Sequence, residues 1–98
     1  MKPTKRRPSH PGALLREEIL PATGLTQKEL AERLGVSRLT INEIINERRA
    51  VTPDMAYRLA RVFNTTPQLW LNMQQAVDVW DTYQANHSVY DLLKPLAA

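Results

Sequence analysis

Between Thr26 and Arg49 the chain reads TQKELAERLGVSRLTINEIINERR, and this stretch leaves few folds open. Thr26 and Glu29 are spaced as a capping box, in which each side chain satisfies an orphan backbone N–H of the other residue at a helix start. Leu30, Ala31 and Leu34 give that helix an apolar face. Gly35 follows the last periodic residue, where a left-handed backbone suits a residue without a Cβ. Ser37 is then a good N-cap for a second helix, whose apolar positions Ile41, Ile44 and Ile45 recur at three and four residues. The pattern is a helix, a tight glycine turn and a helix.

The turn lets two short helices meet at a steep angle only where they touch through a small side chain, and Ala31 is placed for that contact. Ile41 and Ile44 face back toward the first helix. At about 100° per residue the opposite side of the second helix carries Leu39, Asn42, Glu43 and Asn46, with Ser37 and Arg38 at its N-terminus. These are residue types that read base edges: Arg can be bidentate to guanine, Asn to adenine, Glu can accept from cytosine, and an exposed Leu can touch a thymine methyl. The spacing predicts a DNA-binding helix-turn-helix over about residues 26–47. An ordinary amphipathic helix pair would also have a polar outer face, but it would not need a capping box, a small contact residue, a glycine turn and a second cap at these separations.

The flanks complete an all-α fold of five helices. HPGALLREEIL, from His10, places Pro11 in a first helical turn, and Pro21 with Gly24 is expected to end that helix. Thr52, Pro53 and Asp54 start a fourth helix that buries Met55, Ala56, Leu59, Ala60 and Phe63 and stops at Asn64. Thr66 and Pro67 start a fifth. Its stripe of Leu69, Met73, Ala76, Trp80 and Tyr83, widened by Trp70 and Val77, runs to about Ala85 and exceeds what a small core can cover. Val77, Trp80 and Tyr83 are therefore expected in a dimer interface, within a C-terminal dimerisation segment of about residues 66–94. The alternative is that VYDLLKPL folds back over them.

With 98 residues the chain is expected to form one domain, residues 9–98, preceded by a flexible basic arm at 1–8 that holds Lys2, Lys5, Arg6 and Arg7. Charge is uneven: residues 1–49 hold ten Lys and Arg against six Glu, whereas residues 50–98 hold three against four acids. The basic half contains the motif and would attract phosphate. No apolar run approaches a membrane span, the N-terminus lacks a secretory h-region, and cysteine is absent, so a cytoplasmic protein with no membrane partner is expected. His10 and His87 stand far apart, no metal-ligand spacing occurs, and Glu17 and Glu18 point in different directions on a helix. No enzyme activity, catalytic residue, metal or cofactor is expected.

TQKELAERLGVS resembles the phage-repressor-like (XRE) class of helix-turn-helix. HPGALLREEIL before it and TPDMAYRLARVFNTTPQLWLNMQ after it, with Trp70 and Gln74, resemble the HigA-type (VapI-type) antitoxins of bacterial toxin-antitoxin modules; together these cover about residues 10–75. The resemblance implies a homodimer that binds an inverted-repeat operator, represses its own operon and neutralises a RelE-like toxin that cleaves messenger RNA. Gln27 matches a phosphate-holding position, Ser37, Arg38, Leu39 and Glu43 match recognition positions, and Asn46 matches a backbone-contacting one. With Lys28, Thr40, Asn42, Arg48 and Arg49 these form the candidate DNA-binding set. Glu47 departs from the class, which often has glycine there, so the following loop is expected to take a different path. A stand-alone repressor without a toxin is the alternative. A purely protein-binding antidote is a third reading, and Arg38 and Asn42 argue against it. Leu96, Ala97 and Ala98 resemble the end of the tag added to proteins from stalled ribosomes, which implies a degradation signal.

Overall fold

The computed structural model describes residues 6–97, and every regular element among them is helical. Helix α1 is continuous from Pro11 to Thr23 in three stretches: Pro11–Leu14, a π-helical turn Leu15–Ile19, and Leu20–Thr23. Then come α2 (Gln27–Leu34), α3 (Arg38–Ile45), α4 (Pro53–Phe63) and α5 (Pro67–Leu92). Pro21 does not end α1. A proline ring in a regular α-helix collides with the carbonyl four residues back and has no N–H to offer; the wider π turn directly ahead of Pro21 takes up that conflict. The helix stops at Gly24, whose φ of 72° is left-handed.

The start of α1 is capped by a histidine. His10 is buried, and its Nδ1 accepts a 2.9 Å hydrogen bond from the Gly12 N–H. Burial, the largest cause, pushes the imidazole below its usual 6.5; Arg7 acts in the same direction, opposed by Glu47, Asp78 and Asp81. An unfolded chain therefore takes up this proton first as the pH falls below about 6.5, and the stability held by the neutral imidazole declines until the lower folded pKa is passed. His10→Asn keeps an N-cap acceptor without a titrating group. Its thermal midpoint is expected to vary less between pH 7 and pH 5 than that of the parent; equal slopes in calorimetry would exclude this role.

The core joins Leu15 of α1 to Leu30, Ala31 and Leu34 of α2, Ile41, Ile44 and Ile45 of α3, then Val51, and Met55, Ala56 and Leu59 of α4, with Trp70 of α5. The capping box of Thr26 and Glu29 is present, and Gly35 turns the chain with φ 69°. Trp70 is fully buried with its indole Nε1 donating to Thr65 Oγ1 at 2.8 Å, so the one polar atom of a large apolar group is satisfied. Gln74 is buried beside it, accepting from the Val51 N–H at 2.9 Å and donating to Asp78 at 3.0 Å. One side chain thus fixes the loop between α3 and α4 to α5.

Two expectations for α5 are corrected. The helix runs to Leu92 rather than about Ala85, because no glycine or proline interrupts it until Pro95, which disfavours helix in the residue before it. VYDLLKPL thus does not fold back; Val89 to Leu92 continue the helix. Val77 is only 1% exposed within the single chain, so it is a core residue and not surplus surface. The N-terminal segment lies against this part of α5, with Arg7 bonded to Asp81. Trp80 and Tyr83 are half-buried, while Val79, Val89, Tyr90, Leu92 and Leu93 are exposed. The far end of α5 projects from the core and gives the chain extents of 54 × 22 × 21 Å. Among the described residues no helix is long and apolar enough to cross a membrane.

Residues 1–5 of the expected basic arm, and Ala98 of the expected degradation signal, lie outside the described residues. Arg7, assigned to that arm by sequence, makes defined ion pairs. Leu96 and Ala97 are exposed and outside any helix.

Candidate nucleic-acid interface

Helix α3 begins at Ser37, whose Oγ accepts from the Thr40 N–H at 3.0 Å and shares a 2.8 Å hydrogen bond with the Thr40 hydroxyl. With Ile41, Ile44 and Ile45 buried beneath, the opposite side of the helix faces outward. Arg38 and Leu39 are exposed at its first turn, and Leu39 keeps 66% of its surface.

The polar side chains are held in pairs. Asn42 Nδ2 donates to Gln27 Oε1 at 3.1 Å, tying the outward face of α3 to the first residue of α2. Asn46 Nδ2 donates to the Asn42 carbonyl at 2.9 Å, inside the last turn. Arg49 meets Glu43 at 2.9 Å, so two residues of the candidate set, one expected at a base and the other at a phosphate, neutralise each other in the free chain. Lys28 is exposed in the first turn of α2, and Arg48 in the turn after α3, where its backbone N–H donates to the Glu43 carbonyl at 2.8 Å. Of the residues expected at a dimer interface, Trp80 and Tyr83 retain surface and Val77 does not; the Tyr83 ring stacks with Tyr90 at 6.4 Å between centroids.

Several residues that position this face carry no sequence signal of their own. Arg16 of α1 donates to the Ile45 carbonyl at the end of α3. Arg58 of α4 donates to the Leu34 and Gly35 carbonyls at 2.9 and 3.3 Å, closing the end of α2. Gly12 lies so close to α3 that a Cβ there would sit 1.8 Å from the Ile44 carbonyl oxygen. Glu47 corrects an expectation. Its φ is 60°, the left-handed conformation that glycine adopts freely, so the chain takes that path with a side chain present. Its carboxylate meets Arg7 at 2.8 Å and Arg16 at 3.3 Å.

The Helix-turn-helix family model matches residues 15–70, from within α1 to the first turn of α5. The antitoxin HigA-1 of Vibrio cholerae is 43% identical over 96 residues, 98% of this chain and 90% of that protein. The chain belongs to the HigA antitoxin family. Two solved structures extend the likeness to three dimensions. Pseudomonas aeruginosa antitoxin HigA with the higBA promoter matches with a TM-score of 0.88 at 39% identity, over 93% of this chain and all of that one. Antitoxin GraA in complex with its operator matches with a TM-score of 0.88 at 38% identity, over the full length of both. The HigA fold therefore extends through the long α5 as well as the helix-turn-helix.

Proposed function

We propose that this HigA-family chain is an antitoxin that represses its own operon by reading operator DNA with α3 and neutralises a RelE-like, messenger-RNA-cleaving toxin in the cytoplasm. The observation that carries the DNA reading is the outward face of α3. It presents Arg38, Leu39, Asn42 and Glu43 together, backed by Gln27 and flanked by Lys28, Arg48 and Arg49. The promoter and operator bound by the two solved relatives support it. We infer that it binds an inverted repeat as a homodimer, since two copies of α3 set about 34 Å apart meet successive major grooves.

Base contacts and phosphate contacts should separate by mutation. Arg38→Ala is expected to cost about 1 to 3 kcal/mol of operator affinity while sparing non-specific binding. Lys28→Ala or Arg49→Ala should reduce the salt slope by about one unit each. Quantitative footprinting on the DNA upstream of the gene checks this, and a footprint unchanged by Arg38→Ala would sink the assignment. Toxin neutralisation is tested by co-expression with the adjacent reading frame. Growth arrest by that frame, relieved by this chain, supports the antitoxin; operator binding without such relief supports the stand-alone repressor.

A further inference from the structure

Four charged side chains outside the reading face form one chain of contacts around the end of α3. Arg7 holds Asp81 of α5 in a two-pronged bond, Nε to Oδ1 at 2.8 Å and Nη2 to Oδ2 at 2.9 Å. Its remaining arm, Nη1, donates to Glu47 Oε1 at 2.8 Å. The other Glu47 oxygen accepts from Arg16 Nη2 at 3.3 Å, and the same guanidinium donates through Nη1 to the last carbonyl of α3. Glu47 stands at the residue where the chain leaves α3 in a left-handed turn, a conformation that costs a non-glycine residue about 1 to 2 kcal/mol. A strained backbone persists where its surroundings over-determine it. Arg7, the larger influence, and Arg16 hold the Glu47 carboxyl below its ordinary range, and Arg7 does the same to Asp81.

None of these four residues is on the outward face of α3, yet Glu47 is in the turn that ends it, Arg7 and Arg16 bond to it directly, and Asp81 reaches it through Arg7. We propose that Glu47 is a positioning residue for sequence reading: gripped by Arg7 and Arg16, it sets how α3 is presented, and Arg7 links that setting to α5. The inference rests on the DNA reading proposed above. It also separates from plain electrostatics. An acid near a DNA-binding face repels phosphate, so its removal by itself should raise affinity for every duplex alike; a lost positioning contact should instead lower discrimination between duplexes.

The test uses the full chain with two probes, a duplex enriched from a random pool by the parent protein and a scrambled duplex of equal composition. Glu47→Gln and Asp81→Asn are each expected to lower the ratio of enriched to scrambled affinity about fivefold, without weakening binding to the scrambled duplex. The double variant should be no worse than the stronger single one, because both act through Arg7. Glu47→Gly relieves the backbone but removes the carboxylate, and is expected to lose discrimination as Glu47→Gln does. In the Asp81→Asn protein the amide resonances of residues 45–49 should shift although the substitution is on another helix. An unchanged ratio in Glu47→Gln overturns the inference whatever Asp81→Asn does, and so does full discrimination in Glu47→Gly. If the parent enriches no sequence at all, the DNA reading falls as well; if it enriches one and only the variants fail to differ, the inference alone falls.

Discussion

Gly12→Ala is expected to destabilise the fold by about 3 kcal/mol. The added Cβ would lie 1.8 Å from the Ile44 carbonyl oxygen and 2.8 Å from its carbon, both backbone atoms in the last turn of α3. A clash with a flexible side chain would be relieved by a rotamer change; here α1 or α3 has to move as a body. Movement is opposed from both sides. Leu15, one turn on, is fully buried in the core, and Ile41 and Ile44 anchor α3 from beneath. For a domain near this size the loss corresponds to roughly 15 °C in thermal midpoint. Operator affinity should fall with it, since the displaced helix carries Arg38 and Asn42. Thermal unfolding followed by circular dichroism checks the prediction; a midpoint within about 2 °C of the parent would mean that α1 is not seated on α3 in solution.

Gly12 also marks where sequence reading reached its limit. The helix-turn-helix was legible because its determinants are local: the Thr26 and Glu29 cap, the Gly35 turn and the Ser37 cap each act within four residues. The starts of α4 and α5 were legible for the same reason. Gly12, Arg16, Arg58 and Gln74 act across long separations, on Ile44, Ile45, Leu34 and Val51 respectively. No local pattern distinguishes an arginine that closes a distant helix end from one that is merely solvated. Pro21 failed as a stop signal because a π turn, invisible in composition, precedes it. Glu47 is unusual for its position in the sequence, but its ion pairs reach Arg7 and Arg16, 40 and 31 residues away, which no local pattern reveals. Val77 falls on the apolar stripe by periodicity, but its burial within the single chain is set by how α5 packs, which periodicity does not reveal.

Tyr83→Glu combined with Tyr90→Glu is expected to turn the protein into a monomer and lower its affinity for an inverted-repeat operator by about 10² to 10⁴. Past Val77, α5 leaves the core and carries Val79, Tyr83, Val89, Tyr90 and Leu92, of which Val79 and Val89 are 59% and 55% exposed. Tyr83 and Tyr90 stack one above the other on a single face, so two carboxylates placed there meet any symmetric partner as four. Trp80 is half-buried, and truncating it would mix loss of interface with loss of intramolecular packing. Tyr83 is half-buried too, but its ring contacts are with His87 and Tyr90 of its own helix, so replacing the tyrosine pair should leave thermal stability of the individual fold nearly intact while removing the second half-site contact. The arithmetic is that of two tethered binding events becoming one. A single half-site duplex should therefore be bound equally by parent and variant, which separates failed dimerisation from a damaged reading face. Sedimentation equilibrium at micromolar concentration decides between outcomes: a variant of unchanged mass, or a monomer with undiminished operator affinity, would place the dimer contact elsewhere on the chain.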